Sequence, residues 1–209
     1  MEQFLESLAL RLLNKLPGSE AHLQMAPFPE RLREIPAHDH SEAAVMIVLM
    51  KESDQFFFPL IQRNPSSELD PHKGQIALPG GRFEEGDHNL VFTALRETYE
   101  EIGIDNSQIK IIGSLSPLYI PVSKNLVQPY IGWCEKKPIL IKQDKEIHEI
   151  FSCTLEAVLN LDNLTHKVIS TSYANQLKVP GFLFGDRWVW GATAMILAEF
   201  AEILRELKV

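Results

Sequence analysis

The sequence predicts a single domain of the α/β or α+β class, and three observations support this prediction. The 209 residues are enough for one ordinary domain, and hydrophobic residues make up 45% of them, as in soluble globular proteins. Apolar runs of strand length recur between turn residues from Ala43 onward. Three longer segments instead repeat their apolar residues at helical spacing. Strands mixed with helices in this way indicate one layered α and β domain.

Composition excludes several classes of function. The net charge of -8 argues against non-specific binding to nucleic acid or to an anionic membrane. Cys134 and Cys153 show neither disulfide nor metal-ligand spacing, which predicts two buried thiols in a reducing compartment. No apolar run reaches transmembrane length. With Glu2 near its start, the chain does not resemble a signal peptide. We therefore expect a cytoplasmic protein.

The first residues predict an amphipathic helix that lies outside the main domain. Its apolar side chains fall on one side and are expected to pack on the domain or on the other subunit of a homodimer: Phe4, Leu5, Leu8, Leu12 and Leu16. Prolines then interrupt the chain from Pro17 to about His40, which predicts an extended arm over the surface. The expected boundaries are 1–41 for helix and arm and 42–209 for the main domain.

Strand predictions begin with AAVMIVLM (43–50) and FFFPLIQ (56–62). Pro59 lacks a backbone donor, so the second strand is expected to be an edge strand or a bulged one. GQIALPGG predicts a short strand that leads into a glycine turn. Later strands are expected at IKIIGSL, LVQPYIGWC, EIFSCTL, VISTSYA and GFLFG, with a short helix at LEAVLNL. The terminal segment WVWGATAMILAEFAEILREL predicts a helix that faces the core.

A helix is predicted from about His88 to Ile102. Asp87 is expected to cap its start, and Gly103 is expected to stop it. An apolar stripe at helical spacing is expected to be the buried side: Val91, Leu95, Tyr99 and Ile102.

The same helix carries three carboxylates on one face, Glu97, Glu100 and Glu101. Like charges at this spacing repel, at a cost of roughly 0.2–0.5 kcal/mol per pair. No lysine occurs between Lys73 and Lys110, so the usual compensation along a solvated helix is missing. A solvated acidic face is the plain alternative. The cluster predicts the exposed edge of a pocket that binds a hard divalent cation.

These residues resemble the Nudix box. Its signature is a glycine and an acidic residue, followed by Arg-Glu-hydrophobic-X-Glu-Glu-X-Gly-hydrophobic. Here the counterparts are Gly81, Asp87 and the run RETYEEIGI (96–104). Eight residues separate Asp87 from Arg96, one more than is usual. Thr98 occupies a position that is usually apolar.

The extra residue and Asp87 resemble the coenzyme A pyrophosphatase branch of that family. An upstream motif of the branch is matched by LIQRNPSSELDPHKGQIALPGG. Six positions have counterparts there: Arg63, His72, Gly74, Pro79, Gly80 and Gly81. Asn64 replaces a serine, Leu78 replaces a phenylalanine, and the spacer is longer and lacks an arginine.

The resemblance implies a loop–helix–loop catalytic unit on an α/β/α sandwich with a mixed sheet. It also implies that Mg²⁺ or Mn²⁺ is held by Glu97, Glu100 and Glu101 against a diphosphate. Arg96 is expected to orient Glu100 from one turn away, or else to form a simple surface pair. Gly80 and Gly81 permit close backbone approach at the start of this unit.

A general base is expected from a later loop, where KQDKEIHEIF places Glu146 before a strand. Asp144 and Glu149 are competing candidates, and a solvated loop glutamate is the plain alternative for Glu146.

For a coenzyme A or acyl-CoA substrate, the 3′-phosphate requires nearby cations, and the candidates are Arg63, His72, Lys73 and Arg82. Alternative substrates are ADP-ribose or NADH. A non-catalytic nucleotide sensor is a further alternative, although the complete set of glutamates argues against it.

Overall fold

The computed structural model describes residues 2–28, 30, 36, 38–66, 72–169 and 176–208. Its α-helices are α1 (Glu2–Leu12), α2 (Ser19–His22), α3 (Leu90–Ile102), α4 (Leu155–Leu159) and α5 (Gly191–Glu206). The larger sheet contains β1 (Ser41–Glu52), β2 (Gln55–Arg63), β3 (Ile76–Ala77), β4 (Gly80–Arg82), β5 (Ile109–Ser114), β6 (Leu118–Ile120), β7 (Asn125–Cys134) and β8 (Ile147–Thr154). The smaller sheet contains β9 (Leu164–Ile169), β10 (Leu177–Phe184) and β11 (Arg187–Trp190).

The larger sheet is mixed and is organised around β1. This strand runs parallel to β7 along most of its length, from the Ser41–Asn125 pair to the Leu49–Trp133 pair. It is antiparallel to β4 near its start and to β2 near its end. A strand with partners on both sides lies inside the sheet, so both of its faces require cover from helices.

The faces of β1 divide the core into two apolar clusters. Ile47 and Leu49 pack with α5, α1 and α4 on one face. Met46 and Val48 pack with α3 on the other. Alternate side chains point to opposite faces of a strand, so burial on both sides requires an unbroken apolar run. The predicted sandwich of helices around a mixed sheet is confirmed.

Strand β2 is not an edge strand, although it contains Pro59. β8 pairs with it on one side from Phe57 to Arg63. On the other side, β1 pairs only up to Phe57 and β3 begins only at Ile61. Pro59 lies in the gap between these two partners, so its missing N–H donor removes no hydrogen bond to β1 or β3. A register shift does occur, but it lies between Gln62 and Arg63.

The N-terminal segment is part of the core. Leu8 and Leu12 of α1 are buried, and Phe4, Leu5 and Leu16 pack against the same cluster, as predicted. The expected surface arm is wrong for the residues that follow α1. Ala21, His22, Met25 and Ala26 are all buried, because α2 and the next turn pack on α5.

A buried carboxylate fastens this segment to α5. Glu199, fully buried, accepts hydrogen bonds from the backbone N–H of Gly18 at 2.9 Å and from the Ser116 hydroxyl at 2.6 Å. Its other oxygen lies 3.1 Å from both Ser116 N and His22 Nε2. Burial opposes ionisation, but the contacts from His22, Ser116 and Gly18 together lower the pKa of Glu199.

Helix α3 differs from its prediction at its start and along its buried side. Asn89 is the N-cap and accepts a hydrogen bond from Phe92 N at 2.9 Å, so the assignment of this role to Asp87 is wrong. Gly103 ends the helix in the left-handed conformation, as predicted. Tyr99 is 55% exposed and lies outside the core, whereas Glu101 is buried.

Most of the later elements agree with their predictions. β5, β7, β8, α4, β10 and α5 form where their sequences indicated, and the two cysteine thiols are buried and free. The segment 187–190 is a strand instead of the start of the last helix, and β6 had no predicted counterpart. Of VISTSYA, residues 168 and 169 belong to β9, and residues 170–174 lie outside the described residues. None of the helices in the described ranges is long and apolar enough to cross a bilayer.

We predict that Glu199→Ala destabilises the fold by about 3 kcal/mol, because it leaves four shielded polar groups, on Gly18, His22 and Ser116, without their acceptor. Chemical denaturation of both proteins measures this difference. The matched control is Glu206→Ala, which lies on α5 like Glu199. It removes a half-exposed carboxylate from an ion pair with Arg11 of α1. The control is expected to cost at most about 1 kcal/mol. Equal losses in the two variants would contradict the anchoring role of Glu199.

Candidate active site

The turn between β3 and α3 brings backbone close to the acidic helix. Gly80 has a φ of 154°, and a side chain there would overlap the Ala44 carbonyl and Val45. A side chain on Gly81 would overlap the carboxylate of Glu97. Glycine is therefore required at position 80 by conformation and by space, and at position 81 by the close approach of Glu97, in line with the predicted tight turn.

Asp87 anchors the loop that precedes α3. Its carboxylate accepts hydrogen bonds from Arg96 Nε at 2.9 Å and Arg96 Nη2 at 3.0 Å. The Thr93 hydroxyl and the backbone N–H of Glu84 complete its contacts, at 2.8 Å and 3.1 Å. The Arg96 guanidinium thereby holds the pKa of the buried Asp87 carboxyl far below its usual range.

Arg96 also contacts two of the three clustered glutamates. Its Nη1 lies 2.9 Å from Glu97 Oε1 and 3.1 Å from Glu100 Oε2. Its Nη2 donates to the carbonyl oxygen of Arg82 at 3.0 Å. The expected contact with Glu100 is present, and the pair with Glu97 is additional. One planar guanidinium thus connects the loop, the end of β4 and the acidic face of α3.

Glu101 is a buried carboxylate, which contradicts its expected place on an exposed face. Gly80 N donates to its Oε2 at 2.9 Å, and Arg63 Nη1 lies 3.3 Å from its Oε1. Burial raises the pKa of Glu101 to about 8. The contacts with Gly80 and Arg63 lower this pKa, and repulsion from Glu97 and Glu146 raises it. Arg63 of the upstream motif and Glu101 of the box therefore meet in one site.

Glu97 is also largely shielded, with 13% of its side chain exposed. Burial raises its pKa, Arg96 lowers it, and the neighbouring charges of Glu100 and Glu146 raise it further. Only Glu100, with 53% of its side chain exposed, matches the solvated position that the sequence predicted. A shielded group of carboxylates gains stability from a cation more than a solvated one does.

Thr98 is a polar residue at a position of the box that is usually apolar. Its side chain is fully buried, and its hydroxyl donates to the carbonyl of Ala94 at 2.6 Å. This hydrogen bond within the helix satisfies the hydroxyl, so the departure leaves the acidic face intact.

The three candidates for the base are separated by the fold. Glu146 lies in the turn that Gln143 joins to α3 by donating to the Glu101 carbonyl at 3.1 Å, and its charge favours the raised pKa of Glu97 and of Glu101. Asp144 is exposed and pairs with Lys142 at 2.7 Å. Glu149 pairs with Arg187. Glu146 is therefore the candidate that the fold brings to the glutamates.

The remaining predicted cations lie in different places. His72 Nδ1 is 3.2 Å from Gln75 Oε1, within the loop that leads to β3. Arg82 Nε donates to Asn125 at 3.1 Å, so its side chain is directed toward the start of β7. These contacts of His72 and Arg82 lie outside the glutamate cluster.

Lys73 lines a cavity of about 480 Å³ together with Trp188 and Trp190. Gln62 and Glu149, which pair across β2 and β8, also line it. Ile61, the neighbour of Gln62, packs toward α3, so this cavity opens on the opposite face of the sheet. The two tryptophans therefore border a cavity on that face.

The carboxylates are paired with arginines in this structure. Among the described residues, no three acidic, histidine or cysteine side chains already lie close enough to hold a metal ion. The donor set still suits a hard cation, because Glu97, Glu100, Glu101 and Glu146 offer only oxygen atoms.

Comparison with known proteins agrees with this geometry. The model of the NUDIX domain matches residues 40–172. The human mitochondrial coenzyme A diphosphatase NUDT8 is 34% identical over 82% of this chain and 70% of its own length. The NudL Nudix hydrolase of Photorhabdus laumondii is 29% identical over 86% of this chain and 91% of its own. A C. elegans Ap4A hydrolase structure covers 79% of this chain and 98% of its own, with a TM-score of 0.54 and 16% identity, which shows a shared fold.

We predict that Asp87→Asn lowers the free energy of unfolding at pH 7 by about 2 kcal/mol, because it removes a charge-assisted pair with Arg96. The folded-state pKa of Asp87 is depressed, so its stabilisation is present above the ordinary aspartate value of about 4 and is lost as the pH falls below it.

Denaturation curves between pH 7 and pH 3 measure this dependence, and the wild type is expected to lose more stability than Asp87→Asn. Asp54→Asn is the control, because Asp54 is fully exposed. Parallel pH dependences for the wild type and Asp87→Asn would contradict the assignment.

Proposed function

Since this chain belongs to the Nudix family of hydrolases and is a pyrophosphohydrolase, we propose that its substrate is coenzyme A or an acyl-CoA. Hydrolysis of the diphosphate would release 3′,5′-ADP and 4′-phosphopantetheine or its acyl derivative. The observation that carries the proposal is the contact between Arg63 and Glu101, since it joins the upstream motif of the coenzyme A branch to the box. The similarity to a coenzyme A diphosphatase supports it.

We assign Glu97, Glu100 and Glu101 as the ligands of Mg²⁺ or Mn²⁺. Their oxygen atoms and shielded position suit such an ion, and their mutual repulsion favours its binding. When bound, the metal neutralises the diphosphate and lowers the pKa of a water molecule.

The protein groups around this site hold the carboxylates in place. Arg96 fixes Glu97 and Glu100, and the backbone N–H of Gly80 fixes Glu101. Glu146, exposed at the edge of the cluster, is assigned as the base that takes a proton from the attacking water.

The 3′-phosphate of coenzyme A is assigned first to Arg63, the cation of the upstream motif that contacts the glutamate cluster. His72 and Lys73 follow, because the structure gives them contacts away from that cluster. Arginine is the best suited of these to a phosphate, because its planar donors match the oxygen atoms. Arg82 is a weaker candidate, since its side chain contacts Ser123 and Asn125. The cytoplasmic location, the homodimer and the boundary near residue 41 stay predictions of the sequence.

We predict that Glu97→Gln and Glu101→Gln each lower turnover by roughly 10²-fold or more, because each removes a charged metal ligand. The fold is expected to survive, since the amide oxygen can still accept the Arg96 hydrogen bond at position 97 and one of the two hydrogen bonds at position 101. Steady-state rates against Mg²⁺ concentration and melting temperatures without metal measure the two effects.

Glu156→Gln on α4 is the control and is expected to keep the wild-type rate. Rates near wild type in both box variants would refute the metal assignment. Because the glutamates repel one another, neutralising them is expected to raise the melting temperature of the metal-free protein. The rise is expected to be larger for Glu101, whose buried charge is disfavoured by its surroundings.

We predict a higher kcat/KM for coenzyme A than for dephospho-coenzyme A, because only the former carries the 3′-phosphate. Arg63→Ala is expected to slow both reactions, since Glu101 loses a partner. It is also expected to bring the ratio of the two kcat/KM values closer to one. The ratio isolates recognition of the phosphate from the general loss of rate. Lys73→Ala tests the neighbouring candidate in the same way.

A panel of nucleoside diphosphate derivatives, incubated with Mg²⁺ or Mn²⁺ and resolved by mass, tests the proposal as a whole. Formation of 3′,5′-ADP from coenzyme A is the expected result. A clear preference for ADP-ribose or NADH would refute the coenzyme A assignment and keep the chemistry of the box. Binding without turnover of any compound would instead indicate a nucleotide sensor.

A further inference from the structure

We infer that Gln143 is a positioning residue, which sets the place of Glu146 relative to the acidic cluster. The inference rests on the proposed function, because it takes Glu146 to be the base. It goes beyond that proposal by assigning a role to a side chain that belongs neither to the box nor to the upstream motif.

The side chain of Gln143 builds the turn that carries Glu146. Its Oε1 accepts hydrogen bonds from Lys145 N at 2.7 Å and from Glu146 N at 3.0 Å. Its own carbonyl oxygen accepts from Ile147 N at 2.9 Å, where β8 begins. The Glu146 N–H also lies 3.2 Å from the backbone carbonyl oxygen of Gln143, so both acceptors of Gln143 hold it in the turn. The side-chain amide oxygen thus supplies the acceptor for Lys145 N and a second acceptor for Glu146 N.

The turn is also fixed from the opposite side by the end of β2. Asn64 N donates to the carbonyl of Glu146 at 2.7 Å, and its Nδ2 donates to the carbonyl of Lys145 at 3.0 Å. Both polar groups of the Glu146 backbone therefore have protein partners.

Gln143 ties this turn directly to the catalytic helix. Its backbone N–H donates to the carbonyl of Glu101 at 3.1 Å. Glu101 also contacts Arg63, the residue before Asn64. The chain segments that carry Arg63, Glu101 and Glu146 are thus joined into one hydrogen-bonded unit, in which Gln143 contacts both the helix and the turn.

This arrangement matters because the side chain of Glu146 is exposed, whereas Gln143 is half-buried and the next residue, Ile147, is fully buried. An exposed glutamate is placed mainly by its own backbone. A displacement of about 1 Å in a reacting group can cost about 10²-fold in rate. Loss of the Gln143 acceptor is therefore expected to reduce catalysis without removing any group that touches the substrate.

The experiment is a double-mutant cycle between Gln143→Met and Glu146→Gln, measured with the best substrate of the diphosphate panel and Mg²⁺. Glu146→Gln alone is expected to lower kcat by roughly 10²–10⁴-fold. Gln143→Met keeps the length of the side chain but removes the acceptor, and we expect a loss in kcat of about 10- to 100-fold with little change in KM. In the Glu146→Gln background, Gln143→Met is expected to have no further effect.

Two further variants separate positioning from general damage. Gln143→Glu retains an oxygen acceptor and is expected to keep most of the wild-type kcat. Gln108→Met replaces an exposed glutamine in the turn after α3 and is expected to behave as wild type. Melting temperatures establish that every variant is folded under the assay conditions.

The possible failures are distinguishable. A normal kcat in Glu146→Gln overturns both the base assignment and the inference about Gln143. If Glu146→Gln lowers kcat and Gln143→Met lowers it by a further, independent factor in the double variant, the base assignment stands and the positioning role is overturned. An unchanged kcat in Gln143→Met also overturns the positioning role alone.

Discussion

The Arg96 guanidinium is the contact on which the geometry of the active site depends. Its Nε and Nη2 bind the carboxylate of Asp87, and Nη2 also reaches the carbonyl of Arg82. Its Nη1 reaches Glu97 and Glu100. A lysine has one nitrogen and could not hold so many acceptors in fixed directions. This one planar group therefore sets the relative positions of the loop, the end of β4 and the acidic face of α3.

The acidic cluster is held at an energetic cost that the rest of the fold offsets. Burial of Glu97 and Glu101 disfavours their charged forms, and Arg63, Arg96 and the backbone of Gly80 only partly compensate. Such a site favours a cation, whose charge would remove the repulsion that the protein leaves in place. Local destabilisation of this kind is common where catalytic groups are concentrated.

The other face of the sheet supplies the stability. Helix α5 covers the larger apolar cluster there, and Glu199 fastens α2 and the loop before β6 to it. A buried carboxylate with four donors is stable because each of its hydrogen bonds replaces one lost with water. The N-terminal segment is thereby integrated with the main fold, on the side of the sheet away from α3.

The sequence by itself determined the class of fold, most strands and the acidic helix, because apolar periodicity, glycine and the box residues are local signals. It also identified the cluster of Glu97, Glu100 and Glu101. Only the tertiary structure decided that Glu101 is buried, that Asp87 binds Arg96 instead of capping α3, and that Pro59 lies between two partner strands. Burial, long-range pairing and the Gln143 turn depend on segments distant along the chain. No local pattern records which segments will meet, so the folded chain alone decides how those groups are held.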